Sequence, residues 1–147
     1  MLQEDLDEVE NQLNKYFYKA NIRMFRIHVS GDFFSKEYLA MWLRVIKNNP
    51  QIMFLAFTKV YGFFYGKVMP DNLSIIFSFM PEVPYEQALN FSKKAGFPMA
   101  YVGNRQPKDI LCPEQSTNRK IGCLQCQICW KMPKLKRPVN IYFEAHR

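Results

Sequence analysis

The chain has 147 residues, is 48% hydrophobic and 16% aromatic, and carries a formal net charge of +7. That composition is too apolar for a disordered chain and suits one packed domain spanning residues 1–147. No apolar run approaches the roughly eighteen residues needed to cross a bilayer, and the acidic start Gln3-Glu4-Asp5-Leu6-Asp7-Glu8 has the wrong charge for a secretory signal, so a soluble cytoplasmic protein is expected.

Residues 2–20 predict an amphipathic helix, because Leu2, Leu6, Val9, Leu13, Tyr16 or Phe17, and Ala20 recur at three- and four-residue steps. Its acids lie in the first half and Lys15 and Lys19 near the end, which suits the helix dipole. Residues 23–30 predict a strand, with Phe25, Ile27 and Val29 alternating and Gly31-Asp32 breaking it. Ser35 is a suitable N-cap for a helix to about Asn48, with Tyr38, Leu39, Trp42, Val45 and Ile46 on its buried face. Ile52 to Thr58 is a nearly continuous apolar run, as expected for a strand covered on both faces. A short helix or irregular crossover is expected over Val60 to Met69, and a strand over Leu73 to Phe79. A helix from Pro84 should end at the C-cap glycine Gly96, and Phe97 to Val102 and Val139 to Ala145 complete the strands. The expected fold is therefore α/β: a mainly parallel βα-repeat sheet, partial-barrel-like, with an N-terminal helix over 1–22 and a βα core over 23–102. A four-cysteine metal loop is expected over 103–138, and a closing strand over 139–147.

That loop holds all four cysteines: Cys112, followed by Pro113, and then Cys123, Cys126 and Cys129 at C-x2-C-x2-C spacing. Two-residue spacers let successive thiolates face one point, and four thiolates fill the shell of a tetrahedral ion or a cubane cluster. In a reducing compartment such a cluster is more often a metal site than a pair of disulfides. Zinc is the favoured occupant, as a closed structural clip, and a 4Fe-4S cluster is the alternative. Arg119, Lys120, Lys131, Lys134, Lys136 and Arg137 flank the cysteines. They offer either a binding surface for nucleic acid or an acidic protein, or a solvated face that offsets a dianionic zinc–thiolate centre.

Ligands of parallel α/β sheets sit beyond the carboxyl ends of the strands. Ser30, Asp32, Thr58, Lys59, Asn104 and Arg105 fall at that edge by sequence, and Asn72 falls at the opposite one. Asp32 and Lys59 are a candidate pair for holding a polar substrate or for acid–base work; the alternative is a helix-capping Asp32 and an exposed Lys59. His28 inside a strand is expected to be a surface or satisfied core residue, and His146 stands beside the C-terminus. There is no Gly-rich phosphate loop, no G-x-S-x-G and no H-E-x-x-H.

The stretch Phe25-Arg-Ile-His-Val-Ser-Gly-Asp-Phe-Phe-Ser35, with Tyr38-Leu39 and Trp42, resembles phage proteins of the gene-product-88-like family. So do Phe54 through Thr58-Lys59, the cysteine pattern closed by Trp130, and the tail around Tyr142 and His146, so that the resemblance covers most of residues 23–147. The family looks like a relative of radical S-adenosylmethionine enzymes, and its longer members carry a further N-terminal cysteine group suited to a cluster. Here no cysteine precedes residue 112, and the four present can all bind one centre and leave no open position, which weighs against radical catalysis. The resemblance implies a phage or mobile-element protein acting in a bacterial host. The expected function is a zinc-binding interaction protein that inhibits a bacterial defence effector, of anti-CRISPR type, by direct binding to a nuclease such as Cas9. An iron–sulfur or radical-type enzyme, or a subunit of one, with Asp32 and Lys59 as a remnant site, is the alternative. A nucleic-acid-binding zinc protein is the weaker one.

Overall fold

The computed structural model describes residues 3–145; Leu2 and His146 lie outside the described residues. Six strands form one sheet: β1 Met24–Arg26, β2 Met53–Thr58, β3 Leu73–Ser78, β4 Met99–Val102, β5 Ile110–Leu111 and β6 Ile141–Phe143. Their order is β1-β2-β3-β4-β6-β5 and every neighbouring pair is parallel. The sheet curls into a half-barrel, as the βα repeat predicts.

One face of the sheet carries three long helices, α1 Gln3–Lys19, α2 Lys36–Asn48 and α3 Tyr85–Ala95. In α1, Leu6 and Phe17 are buried and Val9 and Leu13 partly so, which is the predicted stripe. Phe17 meets Phe25 of β1 and Phe54 of β2 edge-on, at 4.9 and 5.3 Å between centroids, and so fastens α1 to the sheet. Arg44 of α2 forks onto Glu10 of α1 at 2.9–3.1 Å, but this exposed pair adds well under ~1 kcal/mol beside the packing. Ser35 caps α2 as expected, its Oγ accepting from the Tyr38 amide at 3.1 Å. Gly96 ends α3 at φ +87°, a conformation that glycine adopts without a Cβ penalty. Asn72 stands at the amino edge of the sheet, where its amide nitrogen lies within 3.0–3.2 Å of the carbonyls of Ile46, Asn49 and Ile52. It ties the end of α2 to the entries of β2 and β3, a structural role.

The other face is covered by the cysteine segment. Leu55, Ile76, Ala100 and Ile141 point into a second core with Trp130 and Met132, separate from the core under the helices. Both faces of β2 and β3 are therefore dry, which accounts for their unbroken apolar sequences. The 61–69 crossover is a single 3-10 turn, Tyr61–Phe63.

Three boundaries differ from expectation. The first strand ends at Arg26 rather than residue 30, because His28 is left-handed (φ +59°) and Gly31 follows at +85°. Phe25 and Ile27 still pack toward the helices, whereas Val29 is 85% exposed. The last strand covers three residues, not seven. The expected loop after β4 contains β5, and β6 inserts between β4 and β5.

Candidate functional site

Three short helical turns build the cysteine segment. Cys112 follows β5 directly, its amide still bonded to the Tyr142 carbonyl of β6 at 3.0 Å, and it precedes α4 Pro113–Ser116. Cys123 and Cys126 open and close α5 Cys123–Cys126. Gln127 then turns left-handed at φ +57°, and Cys129 lies in the next turn, α6 Ile128–Lys131. One turn, a left-handed reversal and a second turn bring the C-x2-C-x2-C thiols toward Cys112. All four line one small cavity of about 30 Å³, together with Glu114, Ile128 and Trp130.

No disulfide links the four thiols, and the Cys123 S–H donates to Glu114 Oε2 at 3.2 Å. Burial, Glu114 and the neighbouring cysteines push the Cys123 thiol up to about 11. Burial first, and then Cys112, Cys126 and Cys123, push Cys129 up to about 12, with Arg26 pulling the other way. The expected metal loop gains no support from the placement of these side chains. Among the described residues no group of three or more His, Cys, Asp or Glu side chains is placed to hold a metal ion. The physical reason is local: Cys123 is exposed and its protonated thiol donates a hydrogen bond to a carboxylate, so the thiols share a cavity without closing a ligand shell.

The second site lies at the carboxyl edge of the strands, where a cavity of about 340 Å³ opens. Arg26, His28, Ser30, Asp32, Thr58, Lys59 and Tyr101 are among its lining residues, with Phe57, Val102 and Phe143 as apolar wall. The structure thus brings Asp32 and Lys59 together, but through the backbone. Asp32 Oδ2 accepts from the Lys59 amide at 2.7 Å, and Oδ1 accepts from the Thr58 hydroxyl at 2.7 Å and the Phe33 amide at 2.8 Å. The carboxylate is occupied in tying the loop after β1 to the end of β2.

His28 packs against Phe33 and stacks on Tyr38, whose hydroxyl lies 2.8 Å from Nε2, while buried Nδ1 has no partner. Burial lowers its pKa below the ordinary 6.5, and the Asp32 charge only partly opposes this. The sign follows. Below about pH 6.5 the unfolded chain protonates this ring while the folded chain resists, so stability falls with pH until the folded ring also takes a proton. Urea unfolding at about pH 7.5 and 5.5 should therefore show a loss on acidification that is smaller in His28→Asn, a residue that tolerates positive φ. An equal loss in both proteins would count against it.

Arg105 donates to the Asp109 carbonyl at 3.3–3.4 Å, stapling its own turn, and Asn104 is exposed. Asp109 is a buried carboxylate that spacing did not reveal. It accepts from the Tyr101 and Tyr85 hydroxyls at 2.6 and 2.9 Å, and burial together with Asp109 pushes Tyr101 up to about 12. Only a contact between residues 85, 101 and 109 in space shows it. The six flanking cations are all exposed; Lys131 closes α6 and the other five fall in two groups. Arg119 and Lys120 follow the carboxyl end of β5, while Lys134, Lys136 and Arg137 precede the amino end of β6. In a parallel pair those ends lie at opposite edges, so the six do not form one stripe.

The sequence profile described as Gene product 88 matches residues 1–132. The chain is similar to the Gene 88 protein of Mycobacterium phage L5, 33% identical over 73% of this chain and 50% of that protein. It is also similar to the Gene 88 protein of Mycobacterium phage D29, 32% identical over the same shares. The chain thus spans about half the length of the curated relatives it matches. No solved structure matches. Among the described residues no helix is long and apolar enough to cross a membrane.

Proposed function

The chain belongs to the gene product 88 family of phage proteins, and we propose that it is a binding protein whose four cysteines take one zinc ion as a structural clip. The observation that supports this is the single small cavity lined by Cys112, Cys123, Cys126 and Cys129. Four sulfur donors suit zinc, and Cys123 reaches the shell by leaving Glu114. The clip has a physical task. The helical turns α4, α5 and α6 are four residues each, far below the length at which a helix is stable alone. Beyond the inner core around Trp130 and Met132 they bury little, so a bound ion supplies folding free energy that packing does not.

The surface so held includes Lys131, Lys134, Lys136 and Arg137, and the phage relatives favour a target in the bacterial host. Direct inhibition of a defence effector, the anti-CRISPR type of activity, is the partner reading that goes with this. Elemental analysis of the purified protein tests the clip: about one zinc per chain is expected, with Cys126→Ser losing the metal and becoming protease-sensitive between residues 103 and 138. Iron with absorbance near about 400 nm would instead favour the radical-type enzyme, and metal-free wild-type protein with that segment fully resistant would overturn the clip.

A further inference from the structure

We propose that the cavity at the carboxyl edge of the half-barrel binds a small oxyanion attached to an apolar group, with Arg26 as the anchoring residue. The proposal goes beyond the zinc clip and does not depend on it.

At about 340 Å³ the cavity lies within the range of small-ligand sites, and it opens where parallel sheets bind their ligands. Its walls differ in chemistry. Phe57, Val102 and Phe143 supply an apolar side, while Arg26 and Lys59 supply the positive charge. The Arg26 guanidinium carbon lies 5.0 Å from the centroid of the Phe57 ring. That contact holds the group by its face without neutralising it, and leaves the donor edges of the fork free for a carboxylate or phosphate. Among the described residues no carboxylate forms an ion pair with Arg26 or Lys59. Asp32, the acid of the cavity lining, is already committed to three donors of its own loop. One spent carboxylate against two unpaired cations selects an anion and not a metal ion.

The rim is fixed before any ligand arrives. His28 and Gly31 both hold positive φ, and Asp32 bonds the same loop to Thr58 and Lys59. A non-glycine residue kept left-handed at the mouth of a cavity is strain that the surrounding structure must hold, and a rigid rim reduces the ordering cost of binding.

Phenyl phosphate and benzoate serve as probes, with inorganic phosphate as the reference lacking the apolar part, each titrated into the full chain by calorimetry or amide chemical shifts. We expect saturable binding of at least one organic anion, about tenfold or more tighter than inorganic phosphate, because the ring adds buried apolar area. Preference between the two probes identifies the oxyanion. Arg26→Gln should weaken that binding about tenfold or more and Lys59→Gln severalfold, with Arg26→Lys between, since lysine keeps the charge and loses the fork. Lys47→Gln, at the exposed end of α2, should leave affinity unchanged. Equal affinity in wild type, Arg26→Gln and Lys59→Gln would overturn the proposal. So would the absence of saturable organic-anion binding, or no advantage over inorganic phosphate. Zinc content measured on the same samples separates this result from the fate of the clip.

Discussion

Trp130→Ala is expected to cost about 3–5 kcal/mol and to release the cysteine segment while the helical face of the sheet stays folded. Trp130 is the largest side chain of the inner core, 9% exposed and packed with Leu55, Ile76, Ala100, Met132 and Ile141. Its indole N–H also donates to the Phe25 carbonyl at 3.3 Å, linking α6 to β1 across 105 positions of chain. Truncation removes the apolar area, leaves a cavity that four-residue turns have little means of filling, and removes one donor to that carbonyl. The outer core around Phe17, Phe54 and Phe77 does not touch this residue, because it lies on the other side of the sheet. Amide exchange should therefore show protection lost first around α4–α6, with α1–α3 retained. A cost below about 1 kcal/mol, or equal loss of protection on both faces, would show that the segment is not docked through Trp130. If zinc clips the segment, the loss should be larger in chelator, since ion and indole then hold the same three turns.

How much of this was legible in the sequence depended on length and period. The helices α1 and α2 repeat their apolar residues over several turns, and their boundaries came out within a residue or two. β2 and β3 were legible because both faces are buried and the apolar run has no gap. The first strand was overextended because the alternation Phe25, Ile27, Val29 continues past the point where His28 turns left-handed. Alternation reports which residues are apolar, not where the backbone leaves the sheet. β5 has two residues and thus no period to read, and the insertion of β6 beside it is a long-range pairing. For the sites, the sheet-edge rule found Ser30, Asp32, Thr58 and Lys59, all of which line one cavity. It did not find Arg26, because an arginine inside a strand looks like a solvent-facing residue until Phe57 is seen beneath it. The cysteine spacing implies convergence, and the four side chains do line one cavity, but the spacing gives no sign that Cys123 turns to Glu114.

That edge gives the second large effect, at Asp32. Asp32→Asn is expected to destabilise the fold by about 2–4 kcal/mol despite its near-identical shape. The aspartate accepts three hydrogen bonds with two oxygens, and two of the donors are backbone amides whose positions follow from the loop and from β2. Asparagine keeps one acceptor. If its oxygen takes the place of Oδ1, serving Phe33 and Thr58, its NH2 faces the Lys59 amide, donor against donor at a 2.7 Å site. If it flips, the Phe33 amide and the Thr58 hydroxyl lose their acceptor instead. Either way a charge-assisted bond becomes a repulsive contact, and bonds to charged groups are the stronger class. Thr58→Val removes one donor to Asp32 and the acceptor of the Val60 amide at 3.1 Å, but leaves both amides on Asp32 bonded and should cost less, about 1–2 kcal/mol. Chemical unfolding of the two variants separates this loop-fixing role from an acid–base role, which would alter activity and leave stability near wild type. Since Asp32 also holds the rim beside Arg26, Asp32→Asn should weaken oxyanion binding as well, even though it removes a negative charge from the cavity. Tighter binding in Asp32→Asn would mean that the carboxylate opposes the ligand more than it organises the loop.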